Sequence, residues 1–113
     1  MNTIIRYLYR DASNYKVFNT CVIKGQLSVE QAGTIIDSLD MSEYFIPEQV
    51  GIPVTRFGSI TEDDHPWCEL DAEFYEMTEA EADVNITVDQ LTSNFAAAKG
   101  KWDAEKYSVI PEY

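Results

Sequence analysis

The stretch Trp67-Cys68-Glu69-Leu70-Asp71-Ala72-Glu73-Phe74-Tyr75-Glu76-Met77 (WCELDAEFYEM) decides how this chain is read. Trp67, Glu69, Asp71, Glu73 and Tyr75 stand at odd positions, and Cys68, Leu70, Ala72 and Phe74 at even ones. A period of two is what a strand with one buried and one wet face produces, because successive side chains point to opposite sides of the pleat. The spacing therefore predicts one strand over Trp67–Met77. Its odd face would carry three carboxylates roughly 6.5–7 Å apart, flanked by Trp67 and Tyr75. Aromatic anchors beside steering charges suit a protein interface, so these five residues are the candidate partner-binding set.

Charge singles out the same region. The chain has 113 residues and a formal net charge of −12. Phe57–Ala98 holds eleven acidic residues and no Lys or Arg, so nearly the whole excess sits there. Such a segment repels nucleic acid and anionic membrane and attracts cations or a basic protein surface. The plainer reading is a solvated acidic face that aids solubility. The length fits one domain over residues 1–113. The first apolar run is broken by Arg6 and Arg10, and no run approaches the ~20 apolar residues of a membrane span. Cys21 and Cys68 lie far apart without a C-x-x-C pattern, so reduced thiols in a cytoplasmic setting are the expectation.

Working outward, Thr3–Tyr9 and Lys16–Ile23 read as two strands joined by the turn residues Asp11–Asn14, a hairpin. Ser28 with Gln31 makes a capping box, and the spacing predicts a helix over Val29–Leu39 that buries Val29, Ala32, Ile36 and Leu39. Tyr44–Pro47 is extended, Pro47–Pro53 a shaped loop, and Val54–Phe57 and Val84–Ile86 are short strand candidates. Thr87 with Gln90 caps a second helix, with Val88, Leu91, Phe95, Ala98 and Trp102 as its apolar stripe and Gly100 after its last turn. A final edge strand is expected around Val109 and Ile110. The order β-β-α-β-β-β-α argues α+β: a mostly antiparallel sheet with two amphipathic helices packed on one face.

Three blocks, RYLYRDASNYK (Arg6–Lys16), YFIPEQVGIP (Tyr44–Pro53) and DDHPWCEL (Asp63–Leu70), resemble a family of small uncharacterised bacterial and mobile-element proteins. The resemblance implies a bacterial or phage origin and a single cytosolic domain. It implies no activity, and no functional residue is carried over from it.

The densest ligand-capable cluster is Asp63, Asp64, His65, Cys68 and Glu69. Zinc sites use spaced Cys and His pairs, and one His with one Cys is a poor match. A hard cation would use Asp63, Asp64 and Glu69 oxygens, although the spacing is not that of an EF-hand loop. Cys68 with His65 and Asp64 is a thiol-enzyme arrangement on paper; the plainer reading makes Cys68 a small core hydrophobe. No G-x-S-x-G, H-E-x-x-H, Walker or G-x-G-x-x-G motif occurs, so no catalytic residue and no cofactor is assigned.

Three functional classes stay open at this point. One is a non-enzymatic binding protein that docks its acidic face on a basic partner, with inhibition or nucleic-acid charge mimicry as forms of it. Another is a cation-dependent or thiol enzyme centred on Asp63–Glu69. The third is a domain whose charge has no partner. Salt sensitivity of binding marks the first; loss on chelation or thiol alkylation marks the second.

Overall fold

The computed structural model describes residues 1–11, 13–56 and 65–107. Its central strand is β1 (Asn2–Arg10), paired antiparallel with β2 (Lys16–Ile23) from Thr3↔Ile23 to Arg10↔Lys16. The turn between them is built as the sequence suggests. The Asp11 carboxylate accepts the Ser13 and Tyr15 amides at 2.9 and 3.0 Å, and Asn14 takes a positive φ of 69°. Alternation is clean in β1: Thr3, Ile5, Tyr7 and Tyr9 are buried, while Arg6 between them is exposed. The one polar member is satisfied, since the Thr3 hydroxyl donates to Gly25 O at 2.7 Å and accepts the Leu27 amide at 3.1 Å.

Helix α1 (Val29–Asp37) starts at the expected capping box of Ser28 and Gln31. Its buried face differs from expectation: Ala32, Ile35 and Leu39 are buried, Ile36 is half-buried and Val29 is 78% exposed. At about 100° per residue, the direction through Ala32, Ile35 and Leu39 leaves Ile36 about 70° off and Val29 about 90° off. Leu27, ahead of the cap, is buried. A two-residue strand β3 (Tyr44–Phe45) follows. The expected loop at Pro47–Pro53 contains a one-turn helix, α2 (Pro47–Val50), with Pro at its first position, where the missing N–H costs nothing, and Gly51 closing it at φ 89°.

The long strand expected over Trp67–Met77 is two strands. Strand β4 (Cys68–Glu69) and strand β5 (Tyr75–Thr78) both pair with β1 on the side opposite β2. Leu8 faces Glu69 and Ile5 faces Tyr75, so between these pairs β1 advances three residues while the partner chain advances six. The three extra residues leave the ladder around Asp71-Ala72-Glu73. Asp71 Oδ1 accepts the Glu73 amide at 2.8 Å, an Asx turn that competes with strand pairing. An odd insertion exchanges the two faces. Glu69 therefore shares the open face with Leu8, whereas Tyr75 lies on the helix side with Ile5 and packs on the core.

Helix α3 (Val88–Ala98) matches its expected cap, and its buried face is Val88, Leu91, Phe95 and Ala98. It ends before Gly100, at φ 70°, and Trp102 lies beyond it, turned back against Phe95 with ring centroids 5.8 Å apart. Neither Val54–Arg56 nor Val84–Ile86 is a strand; the latter runs along β2, with Lys24 N–H donating to Ile86 O at 3.1 Å. Phe57 and the edge strand expected at Val109–Ile110 lie outside the described residues. The architecture is α+β: among the described residues, five antiparallel strands, with α1 and α3 packed together over one face. Fully burying a side chain the size of Phe45, Phe74 or Phe95 contributes on the order of 2–3 kcal/mol, and all three are at most 2% exposed.

Candidate functional site

Where β1 ends against β3 and β4, the surface opens into a cleft of about 400 Å³. Arg10 and Asp11 come from the end of β1, Asp40 and Met41 from the turn after α1, Tyr44 from β3, and His65, Trp67 and Glu69 from the approach to β4 and its strand. An aromatic chain links this cleft to the core: Tyr44 stands 6.5 Å from Trp67, Trp67 6.3 Å from Trp102, Trp102 5.8 Å from Phe95, and Phe95 5.3 Å from Phe45. The Trp102 indole N–H donates to Ser38 O at 3.0 Å, which fixes the ring behind Trp67.

His65 is fully engaged by backbone. Its Nδ1 accepts the Trp67 amide at 3.1 Å, so the proton of the neutral ring is on Nε2, 2.7 Å from Arg10 O, to which it donates. Both nitrogens position the chain. Arg56 clamps the same loop from beneath: its guanidinium donates to His65 O and Pro66 O at 3.1 and 2.8 Å, and its carbon lies 5.3 Å over the Tyr9 ring. Nothing in the sequence spacing joined Arg56 or Trp102 to Trp67; only the folded chain does.

Arg10 Nε lies 3.1 Å from Glu69 Oε2, near enough for an ion pair but not aligned as a hydrogen bond, while Arg10 Nη1 donates to Asn14 at 2.9 Å. Burial pushes the Glu69 carboxyl above its ordinary range; Arg10 pulls it down, and Glu43 adds to the upward push. Cys68 is 1% exposed, and burial raises its thiol to about 12, with Arg56 pulling the other way. A buried thiol held neutral at pH 7, with the nearby-in-sequence His65 imidazole spending both nitrogens on backbone, is not an activated nucleophile.

Of the five candidate binding residues, Trp67 and Glu69 line the cleft, and Asp71 and Glu73 stand exposed on the three-residue loop. Tyr75 is half-buried on the other face. The single acidic strand face is thus replaced by a cleft and an adjoining rim. Of the cation candidates, Asp63 and Asp64 lie outside the described residues, and among the described residues no three His, Cys, Asp or Glu side chains cluster as metal ligands. No described helix is long and apolar enough to cross a membrane. Comparison with family models, with curated proteins and with solved structures gives no match to this chain.

Proposed function

We propose that this chain is a small acidic binding protein, not an enzyme, that docks on a basic protein surface through the rim that follows the cleft. The observation that carries this reading is the distribution of ion pairs. All three arginines face carboxylates within the fold: Arg6 with Glu76 at 2.6 Å, Arg10 with Glu69, and Arg56 with Glu48. Asp71, Glu73, Glu79 and Glu81 are exposed and, among the described residues, have no salt-bridge partner. Unneutralised carboxylates on a chain with net charge −12 create a field that steers a cationic partner and raises its association rate. Action as an inhibitor, or as a mimic of nucleic-acid charge, is the form this docking takes if the partner's basic surface is itself a nucleic-acid site.

The test is capture from a bacterial lysate at about 0.1 and about 0.5 M salt, a range over which screening shortens the reach of exposed charges. Wild type is compared with an Asp71/Glu73/Glu79/Glu81→Lys variant, and the retained protein is then titrated directly. A basic protein held by wild type at low salt, and released by salt or by the variant, supports the reading. Release by double-stranded DNA as well identifies the mimic. Equal retention by both proteins removes the rim from any binding role.

A further inference from the structure

We infer that the cleft between Trp67, Tyr44 and Asp40 binds an organic cation, a guanidinium or alkylammonium group, and so supplies the anchoring pocket of the docking surface. This deepens the proposed function and rests on it for the cation's source. A volume of about 400 Å³ lies within the roughly 300–1,000 Å³ typical of small-ligand sites. Its walls are the half-buried rings of Trp67 and Tyr44, set edge-to-face at 67° and backed by Trp102, so their positions are fixed before any ligand arrives. Aromatic faces attract cations, with Trp the strongest.

The charges select the sign of the ligand. Arg10 is set against Glu69 and Asn14, and His65 is neutral in the tautomer its contacts require. Asp11 and Asp40 then leave the cleft about two charges negative. Asp40 is exposed, and Asp11 spends one carboxylate oxygen on the Ser13 and Tyr15 amides. An anion aimed at Arg10 would have to displace Glu69 and face both aspartates. An uncharged ligand would gain the aromatic contact alone.

Met41 forms a further wall of the cleft, and Ser42 follows it in the same turn. Both have positive φ, 52° and 61°, although neither is Gly, Asn or Asp. Consecutive positive φ values are the geometry of a type I′ turn, which fixes where the Met41 side chain stands. It holds Met41, 82% exposed, at the cleft mouth, where an unbranched thioether adapts to the stem of a cationic side chain.

The test is titration of the intact protein with acetyl-arginine amide, acetyl-lysine amide and tetramethylammonium, with butylurea as uncharged control, read by indole fluorescence and amide chemical shifts. A second arm uses a short arginine-containing peptide. Saturable binding of the cations, with shifts at Trp67, Tyr44 and Met41 and none from butylurea, is expected. Trp67→Ala should weaken binding roughly 3- to 30-fold. Asp40→Asn, at an exposed position where folding is undisturbed, should weaken it too, and Phe18→Ala on the open face should not. Tighter binding of the peptide than of the free amides places the cation on a partner chain; equal binding makes this a small-amine site. No saturable binding, or butylurea binding as well as the cations, overturns the inference. Capture of a basic partner with a silent cleft overturns this inference alone, whereas cation binding without such a partner overturns the reading it rests on.

Discussion

Arg56 and Glu48 form a forked ion pair, Nη1 to Oε2 at 2.8 Å and Nη2 to Oε1 at 3.1 Å, with the arginine side chain only 8% exposed. The same guanidinium holds His65 O and Pro66 O, so one side chain ties α2 to the loop that presents Trp67. Removing it leaves two part-buried carbonyls without their charged donor, while Glu48, which is exposed, stays hydrated. Arg56→Ala should cost about 2–4 kcal/mol, mostly from those two carbonyls. Arg56→Lys keeps the charge but not the planar fork and should still cost about 1–3 kcal/mol. Urea unfolding at constant m-value measures both. An Arg56→Lys midpoint equal to wild type would mean the fork does not hold the loop.

Glu69 gives a pH dependence of definite sign. Burial raises its folded pKa above the ordinary value of 4.5, so the folded chain holds that proton more tightly than the unfolded one. Its contribution is complete below 4.5 and is lost as pH rises through the folded value. Glu69→Gln should remove that decline, so the difference between the two stability curves should grow from about pH 4 toward neutrality in favour of the variant. Arg10 works against this, because the variant forfeits its attraction to the carboxylate. Denaturation midpoints from pH 4 to 8 decide it; a variant that loses ground as pH rises would show the Arg10 pair outweighing burial.

The two thiols report on global opening. Cys21 and Cys68 are each 1% exposed, and burial raises them to about 11 and about 12. A reagent that attacks thiolate should label neither in the folded state, and both should react together at the rate of unfolding. Above the ordinary value of 9.0 the unfolded chain ionises first, so stability should fall as pH climbs through the folded values. Stoichiometric labelling of one cysteine under native conditions would show a local opening at that strand.

How far the fold was legible depended on the range of the interactions involved. Both capping boxes, Ser28 with Gln31 and Thr87 with Gln90, are local chemistry and were visible as strings. The β1–β2 hairpin was equally plain from its β-branched and aromatic runs and the turn residues between them. The alternation at Trp67–Met77 misled because it continues through residues that leave the ladder: hydrophobic period registers which side chains are apolar, not whether the backbone pairs. Ala72 fits the even face by size, yet the Asp71–Glu73 turn lifts it into solvent. Trp67 and Glu69 were picked out by local pattern. Apart from neighbouring His65, the rest of their cleft comes from Arg10, Asp11, Asp40, Met41, Tyr44 and the backing Trp102, all more than twenty residues away, and no local rule places them together.

The turn after α1 offers a test of strain against function. Asp40 and Tyr44 exchange backbone hydrogen bonds at 2.8 and 2.9 Å, and Glu43 N–H donates to Asp40 O at 3.1 Å. Met41 and Ser42 between them carry the two consecutive positive φ values that a type I′ turn demands. Left-handed backbone costs an ordinary residue roughly 1–2 kcal/mol, and Asn-Gly is the pair that adopts this turn most readily. Met41→Asn with Ser42→Gly should therefore stabilise the chain by about 1–2 kcal/mol, less the extra freedom glycine gains on unfolding. If the cleft mouth needs the Met41 side chain, the same variant should bind acetyl-arginine amide more weakly while unfolding at higher urea. Ser42→Gly alone separates the two effects, since it relieves strain and leaves Met41 in place. Higher stability with unchanged cation binding in the double variant would reduce Met41 to a bystander and leave the rings and Asp40 as the site.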